Sequence, residues 1–242
     1  MISQRLLKNP LFLDIETVSC TSSFAELDER FQQLWRKKAR TLGAATAEEE
    51  ERLFAERAAI FSEFGKIVVI ALGYISEEEG REVLSVKALY GDDEKALLLD
   101  FKRLIEQFSA ARNPLQLCAH NGKEFDFPYL CRRMVVHGIP WPTALSLQGK
   151  KPWEVNHVDT KEMWKFGDYK NYTSLDLLAA LFEVPSSKDL MDGSQVSHYY
   201  YEKKDLQSIM VYCRKDVVAL AQVFRKMSFQ PLLTDDAIRL VE

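Results

Sequence analysis

The chain has 242 residues, of which 47% are apolar and 11% aromatic, and its formal charge is −4. That is enough for one large α/β domain or for two small ones. The acidic balance argues against a protein that coats duplex nucleic acid through a broad basic face, but not against an enzyme that grips a few nucleotides through bound metal.

The first predicted element is a strand in "NPLFLDIETV", residues 9–18, where Leu11, Phe12, Leu13, Ile15 and Val18 form an apolar run interrupted only by Asp14 and Glu16. "FAELDERFQQLWRKKAR" then places Phe24, Leu27, Phe31, Leu34 and Trp35 at helical spacing. Thr46 and Glu49 form a capping-box pattern ahead of a second helix carrying Leu53, Phe54 and Phe61, so residues 20–63 read as a helical hairpin inserted after the first strand. "KIVVIALGYI" is a central strand and "EVLSVKALYG" its neighbour. A helix follows through Leu97, Leu98, Phe101, Leu104, Ile105 and Phe108, capped by Asp92 or Asp93. "LQLCAH" reads as a short strand, Asn121-Gly122 as a turn, and Pro128 as the first turn of the next helix. Residues 138–156 form a loop, "HVDT" a short strand, Ser174 caps a helix through Leu181, and a last long helix runs from about Lys204 to Lys226. The order implies one α/β domain over residues 1–242, with disorder expected only near Thr41–Glu51 and at the C-terminus.

Side chains two apart on a strand share a face, so Asp14 and Glu16 project together and repel. Such a pair is stable when a hard divalent cation sits between its oxygens, or when one acid keeps a proton. The alternative is a strand end in solvent. Asp126 is a third acid, following a strand where α/β ligand sites usually lie, and it also suits a helix N-cap. Asp216 is a fourth, one helical turn from Tyr212 at the border of the last helix's apolar stripe. That pair also reads as a solvated acid beside a core-edge tyrosine.

"DIE", "HNGKEFDFPYLCRR" and "YCRKD" together resemble the three motifs of the DEDD proofreading-type 3′→5′ exonucleases. The middle motif is particularly similar to that of the family B DNA polymerase exonuclease domain, through Asn121, Phe125, Asp126, Pro128-Tyr129-Leu130 and Arg132. The third is YxxxD, with Val211 where the histidine branch would differ, which places it in the tyrosine branch. "FGKIVVIALG" and "YTSLDLLAALFEVPSSKDLMDGSQV" further resemble a stand-alone predicted exonuclease family related to those polymerases. The resemblance spans roughly residues 9–226, without an accompanying polymerase domain.

This resemblance implies a ribonuclease H-like mixed sheet flanked by helices. It implies that Asp14, Glu16, Asp126 and Asp216 hold two Mg²⁺ or Mn²⁺ ions, roughly 3.5–4 Å apart in such sites, with Tyr212 aiming the attacking water. The implied activity is hydrolysis of single-stranded DNA from the 3′ end to 5′-mononucleotides. Its rivals are an RNA exonuclease with the same chemistry and a non-catalytic binding module. Asn121 and Phe125 are the candidates for terminal-nucleotide contact, joined by Thr17, Lys123 and Lys188. Lys150, Lys151, Lys165 and Lys170 are further phosphate candidates, and Trp141 or Trp153 a base-stacking one. Arg36, Lys37, Lys38 and Arg40 cluster on the insertion, but its acids balance its basic residues, so no strong nucleic-acid affinity is expected there.

Cys20, Cys118, Cys131 and Cys213 form no CxxC pair, which suits reduced thiols. No signal-peptide core and no bilayer-length apolar run is present, so a cytoplasmic, monomeric protein is expected.

Overall fold

The computed structural model describes residues 9–168, 172–185 and 191–241. Its apolar run becomes strand β1 (Leu11–Ser19), and β1 pairs antiparallel with β2 (Gly65–Glu78), which pairs antiparallel with β3 (Arg81–Tyr90). On its other side β1 pairs parallel with β4 (Leu117–Ala119), and β4 with β5 (Val158–Asp159). The strand order is β5-β4-β1-β2-β3-β6, where β6 (Ile238–Val241) runs parallel to β3.

Between β1 and β2 lie α1 (Glu29–Thr41) and α2 (Ala47–Arg57). The first predicted helix is split: Phe24–Glu26 form a single 3-10 turn, and Asp28 restarts the chain as N-cap by accepting from the Phe31 N–H. Thr46 and Glu49 make the expected capping box, while Phe61 falls beyond α2. Trp35, Phe54 and Phe64 give this insertion its own small core, and the Trp35 indole donates to the Glu50 carbonyl. Two expectations of disorder fail here. Residues 41–51 are the end of α1 and the start of α2, and the C-terminal segment is β6, added as an edge strand.

Two helices, α3 (Glu94–Ala111, capped by Asp93) and α4 (Asp126–Val136), cover one face of the sheet over Leu11, Leu13 and Ile15 of β1 and Ile67, Ile70 and Leu72 of β2. A buried network locks them in place. The Glu94 carboxylate accepts from the Ile67 N–H (2.8 Å), from Arg133 Nε and Nη2 (2.9 and 2.6 Å), and pairs with His137 Nε2 (2.7 Å).

The chain then forms α5 (Thr160–Lys165), α6 (Leu175–Leu181), α7 (Val196–Tyr201) and α8 (Leu206–Met227). Helix α8 packs on the opposite face, over Phe12 and Val18 of β1 and Val69 and Ala71 of β2. It comes close because Gly73 lies beneath it: a Cβ there would sit 2.5 Å from Val217 Cγ1. A bulge between Glu16 and Thr17 of β1 leaves Val68 of β2 unpaired, so Val68 and Val69 both join the core under α8.

Candidate active site

Alternation along β1 sends Leu11, Leu13 and Ile15 to the α3–α4 face and leaves Asp14 and Glu16 on the α8 face. The approach of α8 brings Cys213 against them: its Sγ lies 3.3 Å from Asp14 Oδ2 and 3.5 Å from the Asp14 carbonyl. Oxygens of Asp14 and Glu16 and the Cys213 sulfur lie within 4.8 Å of one another. Tyr212 and Asp216 flank Cys213 on the same helix, and the Tyr212 phenol is hydrogen-bonded to Asp216. The third element is α4. Asp126 is its first residue rather than its cap, is 4% exposed, and draws on its own N–H and that of Ile15 on β1.

Electrostatics make this cluster costly. Burial, then Asp216, Glu16 and Asp126, push the Asp14 carboxyl well above its ordinary range. Glu16 is pushed up by burial, Asp216 and Asp126. Asp126 is raised to about 7, chiefly by burial, with Asp159 adding repulsion. The Tyr212 phenol is raised by burial and by Asp216, Glu16 and Asp14, so it stays protonated. The Cys213 thiol is raised by burial and the same three acids. Charged groups acting on Asp14 and Glu16 are carboxylates, one after another. A hard, multiply charged cation is the partner such a donor set calls for.

With that geometry in view, residues 60–237 match a family described as predicted 3′–5′ exonuclease related to the exonuclease domain of PolB. The chain belongs to this family. A DNA polymerase of Pyrococcus glycovorans is 22% identical over 186 residues, 68% of this chain and 23% of the polymerase. The solved family B DNA polymerase of the hyperthermophilic archaeon Pyrobaculum calidifontis superposes with a TM-score of 0.56 at 17% identity, covering 91% of this chain and 24% of that one. The chain thus spans about a quarter of either polymerase. Together with the strand order, that likeness makes the fold ribonuclease H-like, as the motifs implied. The family match includes Asp126, Tyr212 and Asp216 but starts after β1, so Asp14 and Glu16 join them through the sheet.

The other predicted contacts fare unevenly. Asn121 sits at the β4–α4 turn with a left-handed φ of 65°, and its Oδ1 accepts from Lys161 Nζ (2.6 Å). Phe125 packs its ring 5.3 Å from that of Tyr129. Thr17 donates to the Ala59 carbonyl (2.9 Å), tying β1 to the end of the insertion. Lys123 forms an ion pair with Glu162 at 2.7 Å. Trp141 is half-buried against the α3–α4 core, whereas Trp153 is 76% exposed with Lys151 over its ring. On the insertion, Arg36 and Arg40 are both drawn to Glu50. Lys170 and Lys188 lie outside the described residues.

Sequence reasoning missed Asp159. It caps α5 and is 3% exposed, and its carboxylate accepts from the N–H groups of Asn121, Lys123 and Lys161. It thereby holds the turn that leads into Asp126. An acid ending a short strand just before a helix, in "HVDT", was the available signal.

No helix among the described residues is long and apolar enough to cross a membrane.

Proposed function

We propose that this chain is a metal-dependent 3′→5′ exonuclease of the tyrosine-branch DEDD type, acting on single-stranded DNA. The observation that supports this reading is the cluster of Asp14, Glu16 and Cys213 where β1 meets α8, with Asp216 of α8 and Asp126 of α4 near enough to raise both acids by repulsion. The donor set is made of hard oxygens and fits two Mg²⁺ or Mn²⁺ ions. Bound there, the ions supply Lewis acidity that activates water and stabilises the leaving 3′-oxygen.

The chain's own residues do the rest. The four carboxylates fix the charge and position of the reacting phosphate's surroundings. The Tyr212 hydroxyl, kept protonated by its neighbours, gives its one proton to Asp216, so its oxygen accepts a hydrogen bond from the attacking water and orients it. Asn121 and Phe125 contact the terminal nucleotide. The water oxygen bonds to phosphorus as the P–O3′ bond breaks, which releases a 5′-mononucleotide and leaves a new 3′-hydroxyl.

The test gives 5′-labelled single-stranded DNA and RNA of matched sequence to the wild type and to Asp14→Ala, with Mg²⁺, Mn²⁺ or EDTA. A ladder shortening from the 3′ end, abolished by EDTA and reduced on the order of 10³-fold in the variant, is the expected result. Faster loss of RNA would move the substrate to RNA. Folded, metal-loaded protein that degrades neither would overturn the nuclease reading.

A further inference from the structure

Beyond Glu16, β1 runs on to Val18 and Ser19, and Val18 is paired with Lys66 of β2. Directly opposed residues share a face of the sheet. Val18 packs under α8, so Lys66 stands on the same face as Asp14 and Glu16, about 7 Å further along the strand than Glu16. There it borders a cavity of about 350 Å³ lined by Lys66, Asp92, Tyr200, Tyr201, Lys204 and Leu206.

Helix α7 and the turn after it build the outer wall. The Tyr201 hydroxyl donates to the Ser19 carbonyl, which pins α7 to the end of β1. Lys66 Nζ donates to the Tyr200 hydroxyl (2.9 Å) and lies over the Tyr200 ring, 4.7 Å from its centre. The Tyr200 hydroxyl in turn donates to Asp92 (2.7 Å), which occupies one of that carboxylate's oxygens. Lys204 stands 5.9 Å from the centre of the Tyr201 ring. Asp205 then caps α8, so Leu206 in the cavity wall is six residues, about 9 Å, before Tyr212 on the same helix.

We infer that this cavity is a nucleotide subsite for the substrate strand, taking a phosphate on Lys66 and Lys204 and a base against Tyr200 or Tyr201. The inference rests on the exonuclease reading and adds a gripping surface to it. Two ammonium groups line the cavity against one lining carboxylate, Asp92, with Glu26 near Lys204 outside the lining, and tyrosine faces suit any base, which is what a sequence-tolerant nuclease needs. The acidic centre itself repels a polyanion, so attraction has to be supplied nearby. The cavity sets cations and aromatic rings side by side on the face that carries Asp14 and Glu16.

The experiment measures binding of 5′-fluorescein-labelled (dT)10 by fluorescence anisotropy in EDTA, where no cleavage can occur. Lys66→Ala/Lys204→Ala is expected to raise Kd about tenfold and to make the slope of log affinity against log salt shallower by about 1.4, the value for two lost phosphate contacts on a single strand. Lys66→Arg/Lys204→Arg keeps the charges and is expected to stay within about threefold of wild type. Lys204→Ala alone changes an exposed side chain and is expected to weaken binding about threefold without unfolding, which guards against loss of fold in the double variant. Lys37→Ala, on α1 and outside the cavity lining, is the control. A Kd within twofold of wild type and an unchanged salt slope in both alanine variants would overturn the subsite, as would absence of (dT)10 binding by the wild type. The two readings fail separately. Wild type that binds (dT)10 through these lysines yet leaves it intact in Mg²⁺ removes the nuclease and keeps the cavity; wild type that degrades it with binding indifferent to the lysines does the reverse.

Discussion

Glu94 and Glu16 are both buried glutamates packed against the same sheet, 5% and 9% exposed, and the protein treats them in opposite ways. Burial pushes Glu94 up, but Arg133, the Ile67 N–H and His137 outweigh it and hold the carboxyl below its usual range. Among the described residues Glu16 receives no such partner: burial is reinforced by Asp216 and Asp126, and its carboxyl rises. The chain is therefore able to neutralise a buried acid with its own arginine, and does so on the α3–α4 face. Under α8 it assembles further acids instead. The difference separates an acid the chain balances itself from a cluster whose charge it leaves unbalanced, which is where the proposed metal would sit.

The largest effect should come from breaking the satisfied site. Glu94→Ala leaves the Arg133 guanidinium buried without its carboxylate, and a loss of about 3–5 kcal/mol is expected, measured by urea unfolding. Asp14→Asn should behave oppositely: removing one of several mutually repelling acids leaves the metal-free melting temperature unchanged or higher. A large drop for Asp14→Asn would mean that the acids are held by protein partners after all.

Next in size is the response to pH and metal, which should differ in sign between the two sites. Asp126 has a folded-state value raised to about 7, so its contribution to stability is complete below its unfolded value and is lost as pH rises towards 7. Glu94 is lowered, so its contribution is present above its unfolded value and is lost as pH falls. In EDTA, melting temperature should therefore decline between about pH 4 and 7, and Asp126→Asn should flatten that decline. Mg²⁺ or Mn²⁺ at a hundred times its Kd should add about 2.7 kcal/mol, and more of the gain should appear at the alkaline end, where the acids are ionised. An equal metal effect at both ends would break the argument.

The smallest expected effect sharpens the comparison rather than testing it. Tyr212→Phe keeps the ring and removes the hydroxyl hydrogen-bonded to Asp216, and a loss of about ten- to a hundredfold in kcat is expected. Because burial and three acids keep this phenol protonated, the alkaline limb of the pH–rate profile should keep its shape in the variant. A shifted limb would show the phenol titrating as a base.

Much of the fold was legible in the sequence because its signals are local. Alternation set the faces of β1, the Thr46–Glu49 box started α2, and the apolar stripe of Ile209, Cys213, Val217, Leu220 and Phe224 drew α8 almost to its ends. Signals that depend on a neighbour were missed. β6 is only four residues long, with three of them exposed, too short to show an alternation, and becomes a strand only because β3 offers an edge. Helix α7 is six residues long, too short to show a period, and is held by the Tyr201–Ser19 bond.

The site divides along the same line. By itself the sequence determined which residues are available: an Asp14–Glu16 pair on one strand face, an acid at a helix start, and a tyrosine one turn from an acid. Motif order added their kinship. Only the tertiary structure decided that Asp14 and Glu16 lie under α8 beside Tyr212, since the close approach over Gly73 depends on β1, β2 and α8 together. It also decided that Lys123 is engaged by Glu162, and that Asp159 shapes the turn into Asp126. The physical reason is the range of the forces: periodicity and capping act over one or two turns of chain, while burial and repulsion among carboxylates more than a hundred residues apart exist only once the sheet has formed.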